Sequence, residues 1–219
     1  MTLAALTALS AYAFITSITP GPNNLMLMAS GANFGLRRSL PHMLGVGIGF
    51  MVMLFSIGLG IGQLFDAIPA SHRILQAFSI AYLLYLALKI ARSAPPSDPS
   101  QPAQEAFAPG TNTDSDAMEA GRTEPLSFLQ AASFQWINPK GWVMALTAIS
   151  LYAPQRDLQT LLILTLVFGA INVPSVGVWT LVGTQLRRLL TNPRRLALFN
   201  GIMAVALIGT LYPILFVQF

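Results

Sequence analysis

The stretch Ile18-Thr19-Pro20-Gly21-Pro22-Asn23-Asn24 (ITPGPNN) closes the first apolar segment of the chain. Proline lacks a backbone N–H and clashes with the carbonyl four residues earlier, so two prolines around a glycine predict a broken helix. The break leaves carbonyls before Pro20 and amides near Asn23 without helical partners. In hydrocarbon such groups must be satisfied by protein, water or a ligand. The stretch therefore predicts either a ligand site or a proline kink whose asparagines cap the next helix.

A second break is predicted at Asn138-Pro139-Lys140-Gly141. Lys140 is the only ionisable residue well inside an apolar segment of the sequence. Charges at membrane depth are costly and usually functional, so Lys140 is a candidate to pair with a carboxylate or to titrate as a proton site. The alternative is that Lys140, only 14 residues after Leu126, lies near the membrane surface and snorkels.

The composition indicates that both breaks belong to a membrane protein. The 219 residues are 54% hydrophobic and 9% charged, with a mean hydropathy of +0.62, whereas soluble domains carry roughly 25% charged residues. We therefore predict an all-α polytopic membrane protein with six transmembrane helices, each needing about 20 apolar residues. The apolar stretches are 3–36, 41–64, 70–91, 126–152, 158–184 and 197–217.

The basic residues indicate how these helices are oriented. Two of them, Arg73 and Arg156, fall on one side of the predicted membrane. The loops of the other side, with their flanks, carry nine: Arg37, Arg38, Lys89, Arg92, Arg122, Arg187, Arg188, Arg194 and Arg195. Cytoplasmic loops carry the excess of basic residues, so both termini are predicted to be periplasmic. The net charge of +4 then reflects orientation in the bilayer and predicts no nucleic-acid partner.

Residues 93–125 separate two similar halves. This segment holds six of the eight acidic residues and is rich in proline and serine, a composition typical of a disordered loop. The halves, 1–92 and 126–219, each open with a broken helix and contain three predicted spans. Because three is an odd number, the second half enters the membrane from the opposite side. The chain is thus predicted to be two inverted three-helix repeats.

The two breaks and one further polar position supply the candidate substrate-binding residues. Broken helices offer free backbone groups to a ligand, and amide side chains both donate and accept hydrogen bonds. Asn172 belongs to a third proline-containing stretch, Asn172-Val173-Pro174-Ser175, which either lines the same cavity or forms a packed kink. The candidates are Pro20, Gly21, Pro22, Asn23, Asn24, Gln135, Asn138, Pro139, Lys140 and Asn172.

The second stretch contains alternating glycines, including Gly45, Gly47 and Gly49, and a histidine, His42. Such glycines let helices approach closely and are compatible with a homodimer. His42 is a candidate proton carrier, although a lone histidine at a helix start is expected at the surface. An intramembrane enzyme that uses His42 and Lys140 as acid and base is an alternative, and it requires the two side chains to lie within reach of each other.

Several absences narrow the function. The sequence has no cysteine, two histidines and no Asp or Glu within the apolar part of any span, which disfavours a metal site and a cationic substrate. It also has no HExxH, GxSxG or Walker motif. We therefore expect no enzyme, no metal and no cofactor, and transport that does not use ATP within this chain.

These residues resemble the lysine exporter (LysE/RhtB) family of small bacterial amino-acid efflux proteins. The resemblance rests on Ile18–Asn24, on the glycine-rich stretch after Arg37 and Arg38, and on Phe134-Gln135-Trp136-Ile137-Asn138-Pro139-Lys140. It covers essentially the whole chain outside 93–125. Around Val178-Trp179-Thr180-Leu181-Val182-Gly183 the sequence is most similar to the branch of cysteine and O-acetylserine exporters.

The resemblance implies an inner-membrane exporter of amino acids or their derivatives that is energised by the proton gradient. Members for basic substrates are expected to carry intramembrane aspartates, so their absence here agrees with a neutral substrate of the cysteine, O-acetylserine, homoserine or threonine type. We expect a substrate carboxylate at Lys140 and the helix amides, and the ammonium at Asn23 or Asn24 and free carbonyls. The alternatives are export of another small metabolite and a non-transporting scaffold. A re-entrant hairpin at the first break would move the amino terminus to the cytoplasm.

Overall fold

The computed structural model describes residues 1–61, 69–93 and 124–212. The prediction of a disordered loop over 93–125 falls almost entirely outside the described residues. Within them there is no strand, which confirms the all-α prediction for this part of the chain. The helices are α1 (Leu3–Ile18), α2 (Pro22–Phe34), α3 (Leu36–Ser56), α4 (Pro69–Ala91), α5 (Phe128–Phe134), α6 (Pro139–Tyr152), α7 (Leu158–Arg187) and α8 (Pro193–Gly209).

The chain breaks its helices at both sites that the prolines mark. Thr19 precedes Pro20 and is extended, with ψ 146°, because a residue before proline is driven out of the helical region. Pro22 then begins α2, a position where its missing N–H costs no helical hydrogen bond. The axes of α1 and α2 differ by 55°. Asn138 is likewise extended, with ψ 106°, and is followed by Pro139 at the start of α6.

Three described helical segments are long and apolar enough to cross a membrane. They are Leu36–Ile61, Arg73–Ala91 and Leu158–Arg187, and the bent pair α1–α2 is a fourth if it counts as one span. The segment Leu36–Ile61 consists of α3 and the stretch Ile57–Ile61, in which the chain kinks at Gly60 (φ 115°, ψ −2°). A short 3-10 helix, Gln135–Ile137, connects α5 to the second break. The chain is therefore a multi-pass helical membrane protein.

Helix α7 runs without interruption through Pro174, and next to this proline the Ser175 hydroxyl donates to the carbonyl of Ile171 at 2.7 Å. One expectation of local structure is wrong. His42 is only 2% exposed, whereas a surface position was expected. The reason is that α3 begins at Leu36 rather than near residue 41, so His42 lies in the second turn of the helix and inside the bundle.

Helix α2 lies at the centre of the bundle, because every residue from Asn24 to Phe34 is buried. It packs most extensively against α7. The remaining packing is reciprocal between the halves: α1 and α2 contact α7, while α5 and α6 contact α3. Helix α3 also contacts α7, and α4 contacts α8. Each broken pair of helices thus packs against the unbroken helix that follows the broken pair in the other half.

Glycines allow α2 and α7 to touch backbone to backbone. A Cβ atom on Gly31 would overlap the carbonyl oxygen of Thr180, and one on Gly183 would overlap the carbonyl oxygen of Met28. The α3–α5 contact is similar, since a Cβ on Gly45 would overlap the carbonyl oxygen of Phe128. Small residues at such crossings are what membrane helices use to approach closely.

Gly183→Ala is expected to lower the free energy of unfolding by about 1–3 kcal/mol, because its Cβ meets backbone that cannot move aside. Gly201→Ala is the matched control, since a Cβ there has no atom within 4 Å and alanine in a helix interior is favoured over glycine by about 0.5–1 kcal/mol. Thermal unfolding of both purified variants measures the difference. Equal melting temperatures would contradict the close crossing of α2 and α7.

Candidate functional site

The first break is satisfied by protein side chains. The Asn24 side-chain amide donates to the carbonyl oxygens of Ser17 and Thr19, both at 2.8 Å. The indole N–H of Trp179, on α7, donates to the carbonyl oxygen of Ile18 at 3.0 Å. These bonds account for carbonyls that α1 leaves free at its end. Asn24 is thus a structural partner of the break, and its two N–H groups are already used.

Lys140 bridges the second break to the first. Its Nζ donates to the carbonyl oxygen of Thr19 at 2.8 Å and to the Thr19 hydroxyl at 3.0 Å. Its aliphatic chain crosses Gly21, where a Cβ would lie 2.8 Å from Lys140 Cδ. Among the described residues no carboxylate pairs with it. The half-buried ammonium therefore has neutral oxygen partners and keeps an unneutralised positive charge.

A second bridge joins Asn23 to Gln135. The two side-chain amides exchange hydrogen bonds, with Asn23 Nδ2 to Gln135 Oε1 at 2.8 Å and Gln135 Nε2 to Asn23 Oδ1 at 3.2 Å. Gln135 is fully buried, and it also donates to the carbonyl of Ala131 at 2.8 Å. The two breaks therefore meet through Lys140 and through this amide pair, one contribution from each half of the chain.

A cavity of about 20 Å³ lies where the breaks meet, and we call it the junction cavity. It is large enough for one or two water molecules. Two amide oxygens in its wall, Asn138 Oδ1 and Asn172 Oδ1, are buried and have no hydrogen-bond partner among the described residues. Asn172 Nδ2 donates to the Ser17 hydroxyl at 3.1 Å. The lining residues are Thr16, Ser17, Gly21, Asn23, Asn24, Phe50, Asn138, Lys140, Gly141, Met144, Asn172 and Val176.

The electrostatics of the junction cavity are of two kinds. Helices α2 and α6 both begin here, and neither has a side-chain cap on its first amides. Their positive ends and the Lys140 ammonium favour a carboxylate. The unpaired oxygens of Asn138 and Asn172 favour a hydrogen-bond donor such as an ammonium, because an unsatisfied buried acceptor costs about 1–3 kcal/mol. The wall of the cavity therefore presents polar partners suited to a negative and to a positive group.

The sequence-predicted site residues divide into two groups. Six line the junction cavity: Gly21, Asn23, Asn24, Asn138, Lys140 and Asn172. The others support it from outside. Pro22 and Pro139 begin α2 and α6, Gln135 holds Asn23, and Pro20 is exposed with its carbonyl oxygen 3.4 Å from Lys140 Nζ.

Sequence reasoning missed the residues of α1 and of the neighbouring long helices that complete the lining. Thr16 and Ser17 carried a signal, because they are adjacent polar residues in an apolar helix just before the break. Phe50, Met144 and Val176 carried none, since they look like ordinary core residues and belong to the apolar clusters on either side of the cavity.

His42 does not line the junction cavity. It lines a different cavity, between α2, α3 and α4. The two side chains that an intramembrane acid–base enzyme would need are therefore in separate cavities. In the described residues, no group of three or more His, Cys, Asp or Glu side chains is placed to hold a metal ion.

Comparison with known proteins identifies the class. A bundle of apolar helices with broken segments around a polar cavity is typical of a membrane transporter. The LysE type translocator family matches residues 14–210, and the chain belongs to this family.

Two relatives are cysteine/O-acetylserine efflux proteins. That of Klebsiella pneumoniae is 29% identical over 191 residues, which cover 86% of this chain and 87% of the relative. That of Escherichia coli strain K12 is 29% identical over 192 residues, with the same shares. No solved structure matches the chain.

Gly21→Ala is expected to displace Lys140 from Thr19, because the new Cβ would lie 2.8 Å from Lys140 Cδ, in a flexible side chain that can move aside. Lys140 should then react faster with an amine-modifying reagent. Lys89, the only other lysine of the sequence, is an internal reference, and mass spectrometry of the modified peptides gives the ratio of the two rates. An unchanged ratio would mean that Gly21 does not position Lys140.

Proposed function

We propose that the chain is a secondary, proton-coupled exporter of neutral amino acids or their derivatives, of the cysteine, O-acetylserine, homoserine or threonine type, across the bacterial inner membrane. The observation that carries the proposal is one small cavity that combines a lysine ammonium with two unpaired buried amide oxygens. Membership of the LysE type translocator family and the efflux function named for both relatives support it.

In this proposal the substrate carboxylate meets Lys140 and the first amides of α2 and α6. The ammonium donates to Asn138 Oδ1 and Asn172 Oδ1, which lack partners without a ligand. This assignment differs from the expectation that Asn24 would hold the ammonium, because Asn24 already supports the end of α1. Phe50, Met144 and Val176 then contact the substrate side chain.

The same cavity favours a neutral side chain over a cationic one. None of its lining residues is an Asp or Glu, so a second positive charge on the substrate would have no counter-ion there. It would also be repelled by Lys140, which is itself unneutralised. A lysine-type or arginine-type substrate is accordingly disfavoured.

Transport requires the junction cavity to enlarge, since about 20 Å³ does not hold an amino acid. The links that close it are the Lys140–Thr19 contacts and the Asn23–Gln135 pair, and each joins one half of the chain to the other. A substrate carboxylate at Lys140 competes with the Thr19 oxygens for the same ammonium. Binding can in this way weaken the closure that it must open.

We further propose six membrane spans in two inverted three-helix repeats, with both termini periplasmic. The reciprocal packing of α1–α2 on α7 and of α5–α6 on α3 supports the repeat. A bend of 55° between α1 and α2 leaves the chain advancing through the bilayer, which supports a bent crossing over a re-entrant hairpin. The basic residues support the orientation.

Lys140→Met is expected to abolish most transport, because a charged hydrogen bond to the carboxylate contributes about 1.5–3 kcal/mol, or roughly 10–150-fold in apparent affinity. The assay is counterflow of labelled O-acetylserine, cysteine, threonine, leucine and lysine into liposomes that hold the purified protein, with and without an imposed proton gradient. Arg73→Gln removes an exposed positive charge outside the cavity and should exchange at the unmodified rate.

Three results of this assay would contradict parts of the proposal. Unchanged exchange by Lys140→Met would remove Lys140 from the site. Exchange that does not respond to the gradient would remove proton coupling. Folded protein that exchanges none of the five compounds would overturn the amino-acid assignment and favour another small metabolite or the scaffold alternative.

The topology can be tested by cysteine labelling, because the sequence contains no cysteine. In intact cells a membrane-impermeant maleimide should label Thr2→Cys and Gln155→Cys, whereas Arg92→Cys and Thr191→Cys should react only after the membrane is permeabilised. All four positions are exposed. Protection of Thr2→Cys in intact cells, with Gln155→Cys still labelled, would indicate a re-entrant hairpin instead of a bent first span.

A further inference from the structure

A second cavity lies along α2, farther from the breaks and nearer Gly35, where α2 meets α3. We call it the loop-side cavity; it has a volume of about 40 Å³ and lies between α2, α3, α4 and residues 124–126. Its polar lining residues are Ser30, Asn33, His42, Lys89, Ser93 and Glu124. Nothing in the junction cavity overlaps this set, so the loop-side cavity needs its own explanation.

His42 is the unsatisfied group of this cavity. It is 2% exposed, and neither Nδ1 nor Nε2 has a hydrogen-bond partner among the described residues. A neutral imidazole has one donor and one acceptor, and a buried polar group without a partner costs about 1–3 kcal/mol. Two neighbouring polar side chains have partners of their own: the Ser30 hydroxyl pairs with the Ser39 hydroxyl at 2.7 Å, and Asn33 pairs with Asn200 at 2.7 Å. A molecule bound in the cavity would supply the partners that His42 lacks.

The charges of the loop-side cavity have opposite signs. Lys89 and Glu124 both line it, and their side chains do not form an ion pair with each other. Met26, Phe34, Leu86 and Leu126 form its apolar walls. An ammonium, a carboxylate and an imidazole around an apolar space match the charges of a small zwitterion with an uncharged side chain. At about 40 Å³ the loop-side cavity, like the junction cavity, must enlarge to hold an amino acid.

The two cavities lie on one face of α2. Asn23, Met26, Ser30 and Asn33 follow one another at steps of three and four residues, the spacing that places side chains on the same helix face. Asn23 lines the junction cavity, and the other three line the loop-side cavity. From Asn23 to Ser30 the helix rises about 10 Å. Met26, 3% exposed, lies between them, and its unbranched side chain can change shape at low cost.

We propose that the loop-side cavity is a second substrate-binding site, in which a zwitterionic neutral amino acid is bound by Lys89, Glu124 and His42 before it passes Met26 to the junction cavity. This inference rests on the proposed export function and adds an entry site to it. The carboxylate binds to Lys89, the ammonium binds to Glu124, and His42 completes its hydrogen bonds with the bound molecule.

The first test is substrate protection of a cysteine placed in the cavity wall, in purified protein treated with a charged thiol reagent. Ser93→Cys lies in the lining, and Arg92→Cys is its exposed neighbour outside the lining. O-acetylserine at ten times its half-saturating concentration should slow labelling of Ser93→Cys about tenfold. Labelling of Arg92→Cys should not change. The same protection is expected when Lys140→Met disables the junction cavity.

The second test compares Lys89→Gln with Arg92→Gln in the counterflow assay. Loss of the Lys89 ammonium should raise the half-saturating O-acetylserine concentration about tenfold or more, whereas Arg92→Gln, with its side chain outside the cavity, should leave it unchanged. His42→Gln keeps a hydrogen-bond donor and an acceptor at this position, so it should raise the half-saturating concentration less than Lys89→Gln does. Lys89 is half-buried and Arg92 is exposed, so both Lys89→Gln and Arg92→Gln are expected to fold.

The outcomes separate the two proposals. Exchange by the unmodified protein without protection of Ser93→Cys would overturn the entry site and leave the exporter intact. Protection that disappears in the Lys140→Met background would also overturn it, because the junction cavity would then be its cause. Protection without any exchange would sustain the binding site and overturn the exporter. Absence of both exchange and protection would overturn both.

Discussion

The fold depends on the need to satisfy the backbone of a helix that is broken inside a membrane. No water is available in the hydrocarbon to bind the free carbonyls, so the chain supplies Asn24, Trp179 and Lys140 to the end of α1. These partners come from α2, α7 and α6, and each therefore ties a different helix to the first break. The bundle is organised around these hydrogen bonds. A polar cavity forms beside the break because the side chains that bind its free carbonyls must lie close together.

Much of this arrangement could be predicted from the sequence because prolines act locally. The breaks at Pro20–Pro22 and at Pro139 follow from the missing N–H and from the steric limit on the preceding residue, and the long apolar stretches predict the helices. Pro174 shows the limit of the rule, since α7 continues through it. One proline within a long, well-packed helix removes one hydrogen bond, and the packing on both sides outweighs that loss.

The site was predictable only in part, because burial and pairing depend on tertiary contacts. The amide side chains near the breaks could be identified from the sequence. Their pairing could not, because it depends on contacts between helices far apart in sequence: Asn24 binds the end of α1, whereas Asn138 and Asn172 keep unpaired oxygens. His42 was misjudged for a related reason: whether a polar residue near a helix start is buried depends on where the helix begins and what covers it. Met26 carried no sequence signal at all, since its position between two cavities is a property of the packed bundle.

The glycine crossing of α2 and α7 has a mechanical consequence. Backbone in direct contact, as at Gly31 and Gly183, leaves no layer of side chains that can shear, so these two helices cannot slide past each other without breaking contact along the crossing. One helix comes from each half of the chain, and we expect α2 and α7 to keep their positions relative to each other. We therefore expect the polar cavity to open by rotation of the other helices about this pair and by bending at the proline breaks beside it.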